Sequence, residues 1–431
     1  MNDRERALRI LARIDERPMP ADVAIDREPG IEDRDFVRTL VLGVLRWRLR
    51  IDHAIERLAK RELSSIDPPV VALLRLGAYQ LWFTGIARYA AVSETVELAG
   101  QLVPRAKGFV NAVLRRASEN ELASLDPGGD SVGAIAIRTS HPQWLVERWA
   151  RLFGVERTAL IAAADQELSY PDVLVNERRW SVADASEELT NRGIEHELST
   201  IHPSVIRLRE STLRVADLVH HGRLYAMDEG SAAIASLVPR SFDRVLDLAA
   251  APGGKSLVLS LDGHRVVSND ISALRLQPLR RGHIAMFGHP PQIVIGDGVR
   301  PPFREAFDAI LVDAPCSATG TLRKNPEARW RVAPDRVASL TATQTTMLDA
   351  ALSLSPRFCL YATCSLEPEE NDEVVDRVLA SHAGFQRVDL ATIAPDALVR
   401  WIERGTLRLT PESGADGFTA IGIAQKSSHD Y

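Results

Sequence analysis

The chain has 431 residues, 45% of them hydrophobic and 26% charged, the balance of an ordinary globular protein rather than a disordered or membrane-embedded one. That length exceeds what one core serves, so two or three domains are expected. Its three cysteines exclude a disulfide framework and show no zinc-type spacing, and no apolar run approaches the roughly 20 residues of a bilayer span; a reducing cytoplasm and no metal are the expectations. The formal net charge of −6 speaks against a uniformly basic nucleic-acid binder, although a local basic face can still hold phosphates.

The N-terminal stretch MNDRERALRILARIDE alternates charge with apolar residues at helical spacing, unlike a secretory leader. From Arg4 to about Arg116 apolar residues recur at three- and four-residue steps with no good strand candidate, which predicts an all-α bundle over 1–122. One helix covers 36–49; another opens at Asp67-Pro68-Pro69, proline being tolerated in a first turn. Residues 124–131, rich in Asp, Gly and Ser, anchor a linker over 123–138. In 139–224 the patterns mix: 144–153 and 155–164 read as helices, 172–176 and 205–208 as strands, with a helix at 183–192 between them, which fits a small α+β domain. From 225 to 431, β-rich runs at 244–248, 265–269, 292–295, 309–312 and 358–363 are each followed by a helix. That alternation predicts a mostly parallel, Rossmann-like α/β sheet covered on both faces, with ligands outside the carboxyl ends of its strands.

Three basic stretches are candidate RNA contacts: Arg46, Arg48 and Arg50; Lys107 and Arg115, with Arg105 and Arg116 in a run without acids; and Arg323 with Lys324, followed by Arg329, Arg331 and Arg336. Arg275 joins them. A solvated helix or loop face is the plainer account of any one of these alone.

The chemistry concentrates at the carboxyl ends of the later strands. After the first comes Ala249-Ala250-Ala251-Pro252-Gly253-Gly254-Lys255, whose small residues let the backbone approach a ligand, with a cation at the start of a helix. It matches neither the dinucleotide fingerprint nor a Walker loop. Asp270 ends the second strand, where a carboxylate can accept both hydroxyls of a ribose, and Asp297 ends the third, in position to meet an adenine amino group. Carboxylates without a phosphate cradle suit an adenosyl cofactor, and S-adenosylmethionine is the candidate. Asp313-Ala314-Pro315-Cys316 follows the fourth strand and Cys364 the fifth. Two thiols and an acid suit cytosine, whose C5 is a poor nucleophile. A thiolate adding to C6 makes an enamine that can accept a methyl group at C5, and a base must then remove the C5 proton. The thiolate needs a depressed pKa, for which Lys255 and nearby helix N-termini are candidate sources, and the base must be unstacked to arrive. Cys359 lacks such context and reads as core, and the acids of 367–371 read as a helix cap.

DLAAAPGGK, DAPCSATG followed by LRKNPEARW, and YATCSLEPEEN together closely resemble the RNA cytosine-5 methyltransferases of the Nol/Nop/Sun group. RLGAYQ at 75–80 and KGFVNAVLR at 107–115 resemble the NusB antitermination fold. NusB-like bundle plus Sun-type catalytic domain is the layout of the bacterial enzymes acting on 16S rRNA. The resemblance implies Cys364 as nucleophile, Cys316 as base in product release, Asp313 as the contact to the target base with Lys255 beside it, and cofactor contacts at 249–255, Asp270, Asp297 and Asp313. It implies 16S rRNA as partner. The same chemistry on tRNA and a non-enzymatic ribosome-assembly factor are the competing readings; the latter would be marked by loss of Cys364, Cys316 or Asp313, and all three are present. The chain departs from the family pattern at Ala318, where glycine is usual, at Ala249, where cysteine is common, at Leu174, which stands where an arginine is often found, and at Thr419, where a second Phe is usual.

Overall fold

The computed structural model describes residues 2–17, 19–304 and 306–426; positions 1 and 431, the outer limits of the first and last expected domains, lie outside the described residues. The chain forms two compact units, the first from Met1–Glu167 and Leu322–Arg331, the second from Leu168–Thr321 and Val332–Tyr431.

The first unit is helical: α1 (Asp3–Glu16), α2 (Ala21–Asp26), α3 (Arg34–Ala59), α4 (Pro68–Phe83), α5 (Arg88–Leu102), α6 (Lys107–Glu119), α7 (Val132–Arg138), α8 (Gln143–Phe153) and α9 (Val155–Ala164). The long α3 shows why these segments are helices. The Asp33 side chain caps it by accepting from the Phe36 amide, and Lys60 ends it in a left-handed conformation. Between those stops, Val37, Leu40, Val41, Val44, Leu45, Ile51, Ile55 and Leu58 form one buried stripe. The stretch expected as linker contains α7, with Ala134, Ile135 and Ala136 buried. Helices α8 and α9, expected at the start of the middle domain, lie in the first compact unit, where α7 contacts both and Leu145, Val146, Trp149 and Ile161 are fully buried; that placement leaves the expected middle-domain boundary open.

The second unit begins with β1 (Asp172–Val175), α10 (Val182–Asn191), β2 (His196–Leu198), β3 (Val205–Leu208), α11 (Ala216–His220) and β4 (Leu224–Ala226). Its four strands form an antiparallel sheet in the order β2-β3-β1-β4. There follow α12 (Glu229–Ala235), β5 (Arg244–Asp247), α13 (Gly254–Leu261), β6 (Arg265–Asp270), α14 (Gln277–Phe287), β7 (Gln292–Ile295), β8 (Ala309–Asp313), α15 (Pro334–Ser353), β9 (Phe358–Thr363), α16 (Asp372–Leu379), β10 (Phe385–Val388), α17 (Asp396–Val399), β11 (Ile402–Glu403), β12 (Thr406–Leu409) and β13 (Phe418–Gln425). The large sheet runs β11-β12-β13-β9-β8-β5-β6-β7, with β10 also on β13. Strands β5 to β9 are parallel, as the alternating pattern predicts. The antiparallel edge of β10 to β13 was not foreseen, because a strand buried on both faces, as β13 is, shows no alternation. All-α bundle, small α+β domain and Rossmann-like domain are the three architectures present.

Candidate active site

Strand order reverses beside β5: the chain passes outward through β6 and β7 on one side, and through β8 and β9 on the other. The loops after β5 and β8 therefore diverge and open a crevice at the carboxyl ends. A cleft of about 340 Å³ lies there, lined by Ala249, Ala251, Asp270, Asp297, Asp313 and both Cys316 and Cys364, among others.

Its cofactor side is shaped by the backbone. Gly253, at φ 114°, caps the start of α13, and a β-carbon on it would stand 2.2 Å from Leu279 Cβ; only glycine serves. Asp270 is buried and accepts from the amides of Ala251 (3.2 Å) and Ser272 (2.9 Å). Asp297 accepts from the Val299 amide at 3.0 Å. Asn269, which the sequence reading passed over, ties three strand ends together: its side-chain amide donates to the carbonyls of Leu248 (2.9 Å) and Gly296 (3.1 Å). The cleft lining carries three carboxylates against one cation, Arg275. That donor set fits a cationic sulfonium with a hydroxylated ribose, and would repel phosphates. Ala250, Pro252, Gly254 and Lys255 shape the loop behind the lining rather than the cleft wall itself.

Lys255 is buried and donates to Asp313 Oδ2 at 2.7 Å. Burial alone would depress its ammonium, but Asp313, with Asp247 and Cys364 nearby, outweighs this and holds it above its usual value. At the head of the same loop Asp247 is pushed up to about 7, chiefly by burial; a hydrogen bond from Ser256 (2.6 Å) opposes the shift and Asp313 adds to it.

Cys316 Sγ and Cys364 Sγ lie 3.1 Å apart. The Cys316 thiol is raised well above its ordinary value by its hydrogen bond to Cys364, then by burial, then by the charges of Cys364 and Glu370. Cys359, as expected of a core thiol, is fully buried in β9.

The two cysteine loops are knotted by a residue read from sequence as part of a cap. Glu370 is fully buried; it accepts from the Ser317 amide (2.8 Å), the Ser317 and Ser365 hydroxyls and the Gln344 amide (3.0 Å). Gln344 also donates to the Pro315 carbonyl at 2.8 Å. Asn371, likewise buried, donates to the carbonyls of Ser365 and Glu367. Their partners lie up to 53 positions away, so no local pattern could have revealed them. Past Cys316 the backbone turns through Ala318 at φ 61°, the left-handed region where the family's glycine would be unstrained. The Gly320 amide then donates to the Cys364 carbonyl (3.0 Å), and a β-carbon at Gly320 would stand 2.2 Å from the Gly417 oxygen.

The candidate RNA contacts divide. Lys107 and Arg115 are exposed and line one cleft with Arg88, Tyr89 and Asn111, and Arg275 is exposed beside Asp270. Arg46, Arg48 and Arg50 each have an intramolecular partner, Arg48 in an exposed pair. Arg46 donates to the carbonyls of Asp165 (2.9 Å) and Arg323 (2.6 Å). Arg48 pairs with Asp15 (2.7 Å), and Arg50 pairs with Asp126 through both nitrogens. Arg323 is itself buried, and Lys324 is half-buried.

A Rossmann-like sheet with this switch point, donor set and thiol pair defines a methyltransferase that takes S-adenosylmethionine. The comparisons narrow the class. A family described as 16S rRNA methyltransferase RsmB/F matches residues 234–422, the NusB family matches 1–119, and the ferredoxin-like domain of RsmF/B-like methyltransferases matches 141–215. The ribosomal RNA small subunit methyltransferase B of Pseudomonas syringae pv. tomato is 32% identical over 424 residues, covering 93% of this chain and 91% of the relative. That of Pseudomonas putida is 34% identical over 406 residues, covering 90% and 89%. Among solved structures, PH0851 superposes with a TM-score of 0.77 at 22% identity over 98% of each chain. NSun6 from Pyrococcus horikoshii with SFG gives 0.56 at 18% identity, over 67% of this chain and 99% of its own; these two bear on fold alone. The chain belongs to the RsmB/F family, and is an S-adenosylmethionine-dependent rRNA methyltransferase.

Among the described residues no helix is long and apolar enough to cross a membrane, and no cluster of His, Cys, Asp and Glu is arranged to hold a metal ion.

Proposed function

We propose that the chain methylates C5 of a cytosine in 16S rRNA through a covalent bond from Cys364 to C6. The observation that carries this reading is the sulfur pair, 3.1 Å apart on the wall of the cofactor cleft. A methyltransferase acting on an exocyclic nitrogen has no need of thiols there. The names of the relatives and of the matching family support 16S rRNA as substrate.

Bound S-adenosylmethionine supplies an electrophilic methyl group. The chain supplies the rest. The neighbouring sulfur and burial favour the protonated form of Cys316, either sulfur can donate within the pair, and the family resemblance assigns the attack to Cys364. As Cys364 Sγ bonds to C6, the Cys316 proton passes to N3, on the ring edge assigned to Asp313, and the C5=C6 bond becomes an enamine. C5 takes the methyl group. The Cys316 thiolate, a strong base by virtue of the same raised pKa, removes the C5 proton; the C6–S bond breaks, and the N3 proton leaves to solvent. Both sulfurs end as they began. Lys255 is ion-paired to Asp313 and interacts electrostatically with Cys364.

The test uses labelled S-adenosylmethionine with protein-free 16S rRNA and, separately, bulk tRNA. Cys364→Ala should abolish transfer. Cys316→Ala should accumulate a protein–RNA adduct that survives denaturing gels, and 5-methylcytosine should be found in the rRNA alone. Normal turnover by both single variants would sink the mechanism, and label confined to tRNA would overturn the substrate.

A further inference from the structure

Between Asp270 and Asp297 the chain carries no acid, while Arg275, Arg280, Arg281, His283 and His289 all fall inside that interval. The 58 acids of the chain outnumber its 52 lysines and arginines, and exposed arginines elsewhere find carboxylates: Arg88 pairs with Glu121, Arg209 with Glu197 and Arg265 with Asp243. Arg280 and Arg281 are exposed, and neither pairs with an acid among the described residues.

Helix α14 lines these groups up. Leu279, His283 and Met286 form its buried face, so Gln277, Arg280 and Ile284 stand outward at three- and four-residue steps, with Phe287 one step further. Phe287 is half-buried, and the exposed Arg178 guanidinium lies 5.2 Å from its ring centre. At the N-terminal end of this stripe Ile271 and Arg275 line the cofactor cleft, and Leu274 is 81% exposed. At the other end the small antiparallel sheet is fastened to the helix within the same compact unit. Asn176 donates to the carbonyls of Gly222 (2.8 Å) and Met286 (3.1 Å), and a β-carbon at Gly222, φ 67°, would stand 2.1 Å from the Ala285 oxygen. There Arg178 and Arg223 lie over the rings of Phe287 and Trp180.

Unpaired guanidiniums side by side repel one another, and Leu274 and Ile284 beside them leave apolar area in water. A polyanion with flat apolar faces answers both: its phosphates meet Arg280 and Arg281, and its bases meet the Phe287–Arg178 stack and the aliphatic groups. Paired RNA hides the faces of its bases, so the apolar half of the stripe serves only unpaired nucleotides. The 11 residues of α14 extend over about 16 Å, room for a short flank.

We propose that this stripe, from Leu274 to the Arg178–Phe287 stack, is a track for the single-stranded RNA that flanks the target nucleotide at the cleft. It rests on the reading of RNA as substrate, and is independent of which atom is methylated.

The experiment uses the full chain and two readouts: affinity for a labelled single-stranded oligoribonucleotide across a salt series, and methyl transfer to protein-free 16S rRNA. Arg280→Ala combined with Arg281→Ala should weaken oligoribonucleotide binding about tenfold at about 0.15 M salt, and flatten the slope of log affinity against log salt by roughly one to two. In turnover the loss should appear in KM for rRNA, with KM for S-adenosylmethionine changed less than about twofold. Arg178→Lys keeps the charge and removes the stacking plane, so binding should fall about threefold with the salt slope retained. Arg265→Ala removes an exposed arginine of the same unit that already has a partner in Asp243, and should bind as the wild type does. All these side chains are exposed, and equal thermal melting checks that the variants fold. Unchanged affinity and slope in the double variant would overturn the track, and so would an equal loss in Arg265→Ala, which would reduce the effect to net charge. Equal weakening of a fully duplex RNA by Arg178→Lys would overturn the single-stranded assignment. Binding losses as expected, with no transfer to 16S rRNA by the wild type, would support the track and tell against the 16S reading alone.

Discussion

The residues around Glu370 and those around Arg329 solve one problem in two ways. Each buries a charged group completely, at a cost recovered only when hydrogen bonds replace the lost water. Glu370 gathers neutral donors, two serine hydroxyls, an amide N–H and a glutamine, from both cysteine loops. Beside it the sulfurs stay half-buried, on the wall of a cleft. Arg329 gathers backbone carbonyls, with His141 and Asp165 buried nearby and no solvent-facing group left over. Its guanidinium is lowered to about 9 by burial, partly offset by Asp165. Asp165 is raised to about 7 by burial, against the pull of Arg329, Arg323 and Arg46. The lesson is that polar burial supporting chemistry keeps an opening beside it, and polar burial serving only as an anchor closes entirely.

Breaking the Glu370 side should have the larger effect on rate. Glu370→Leu strands four donors and releases both loops, so kcat should fall about 10²- to 10³-fold, measured by methyl transfer at saturating cofactor. Thermal melting should drop as well. Lys255→Met leaves the loops in place and removes the cation shared by Asp313 and Cys364; a loss of roughly 10²-fold in kcat is expected.

The two raised carboxyls differ in the charges around them. Asp165 sits among three guanidiniums, whereas Asp247 has Lys255 on its side and Asp313 and Asp270 against it. An acid raised in the folded state gives its full stabilisation below its unfolded value of about 4 and loses it as pH rises through about 7. Wild type should therefore lose up to a few kcal/mol from this group over that window. Asp247→Asn should flatten the pH dependence of melting between pH 4 and 7, and an unchanged slope would refute the assignment. The smallest effect is expected at Ala318. Replacement by glycine relieves a left-handed alanine and should stabilise the chain by about 1 kcal/mol, with turnover unaltered; chemical denaturation would measure it.

Much of this site was legible in the sequence because its chemistry sits at strand ends. Asp270, Asp297, Asp313, Cys316 and Cys364 each follow a recognisable β-rich run, and a parallel sheet brings such ends together whatever the loop lengths. The partners of Arg46, Arg48 and Arg50 were not legible, because spacing reports which face a side chain occupies and not whether an acid or carbonyl waits there. Glu370, Gln344 and the burial of Arg329, which reads in the sequence as part of a basic stretch, were invisible for the complementary reason. Their partners are remote in sequence, and many are backbone carbonyls, which carry no residue-type signal at all.

The split composition of the helical unit has a consequence for synthesis. Residue 331 follows residue 167 by 164 positions, so at about 5–20 residues per second the ribosome needs roughly 10–30 s to deliver the missing piece. Throughout that interval the nascent bundle lacks Trp330 and the Arg329 guanidinium, and the carbonyls of Leu45, Arg46 and Ser140 lack the donors they have in the finished protein. Translation order thus makes the helical unit first to emerge and among the last to be completed.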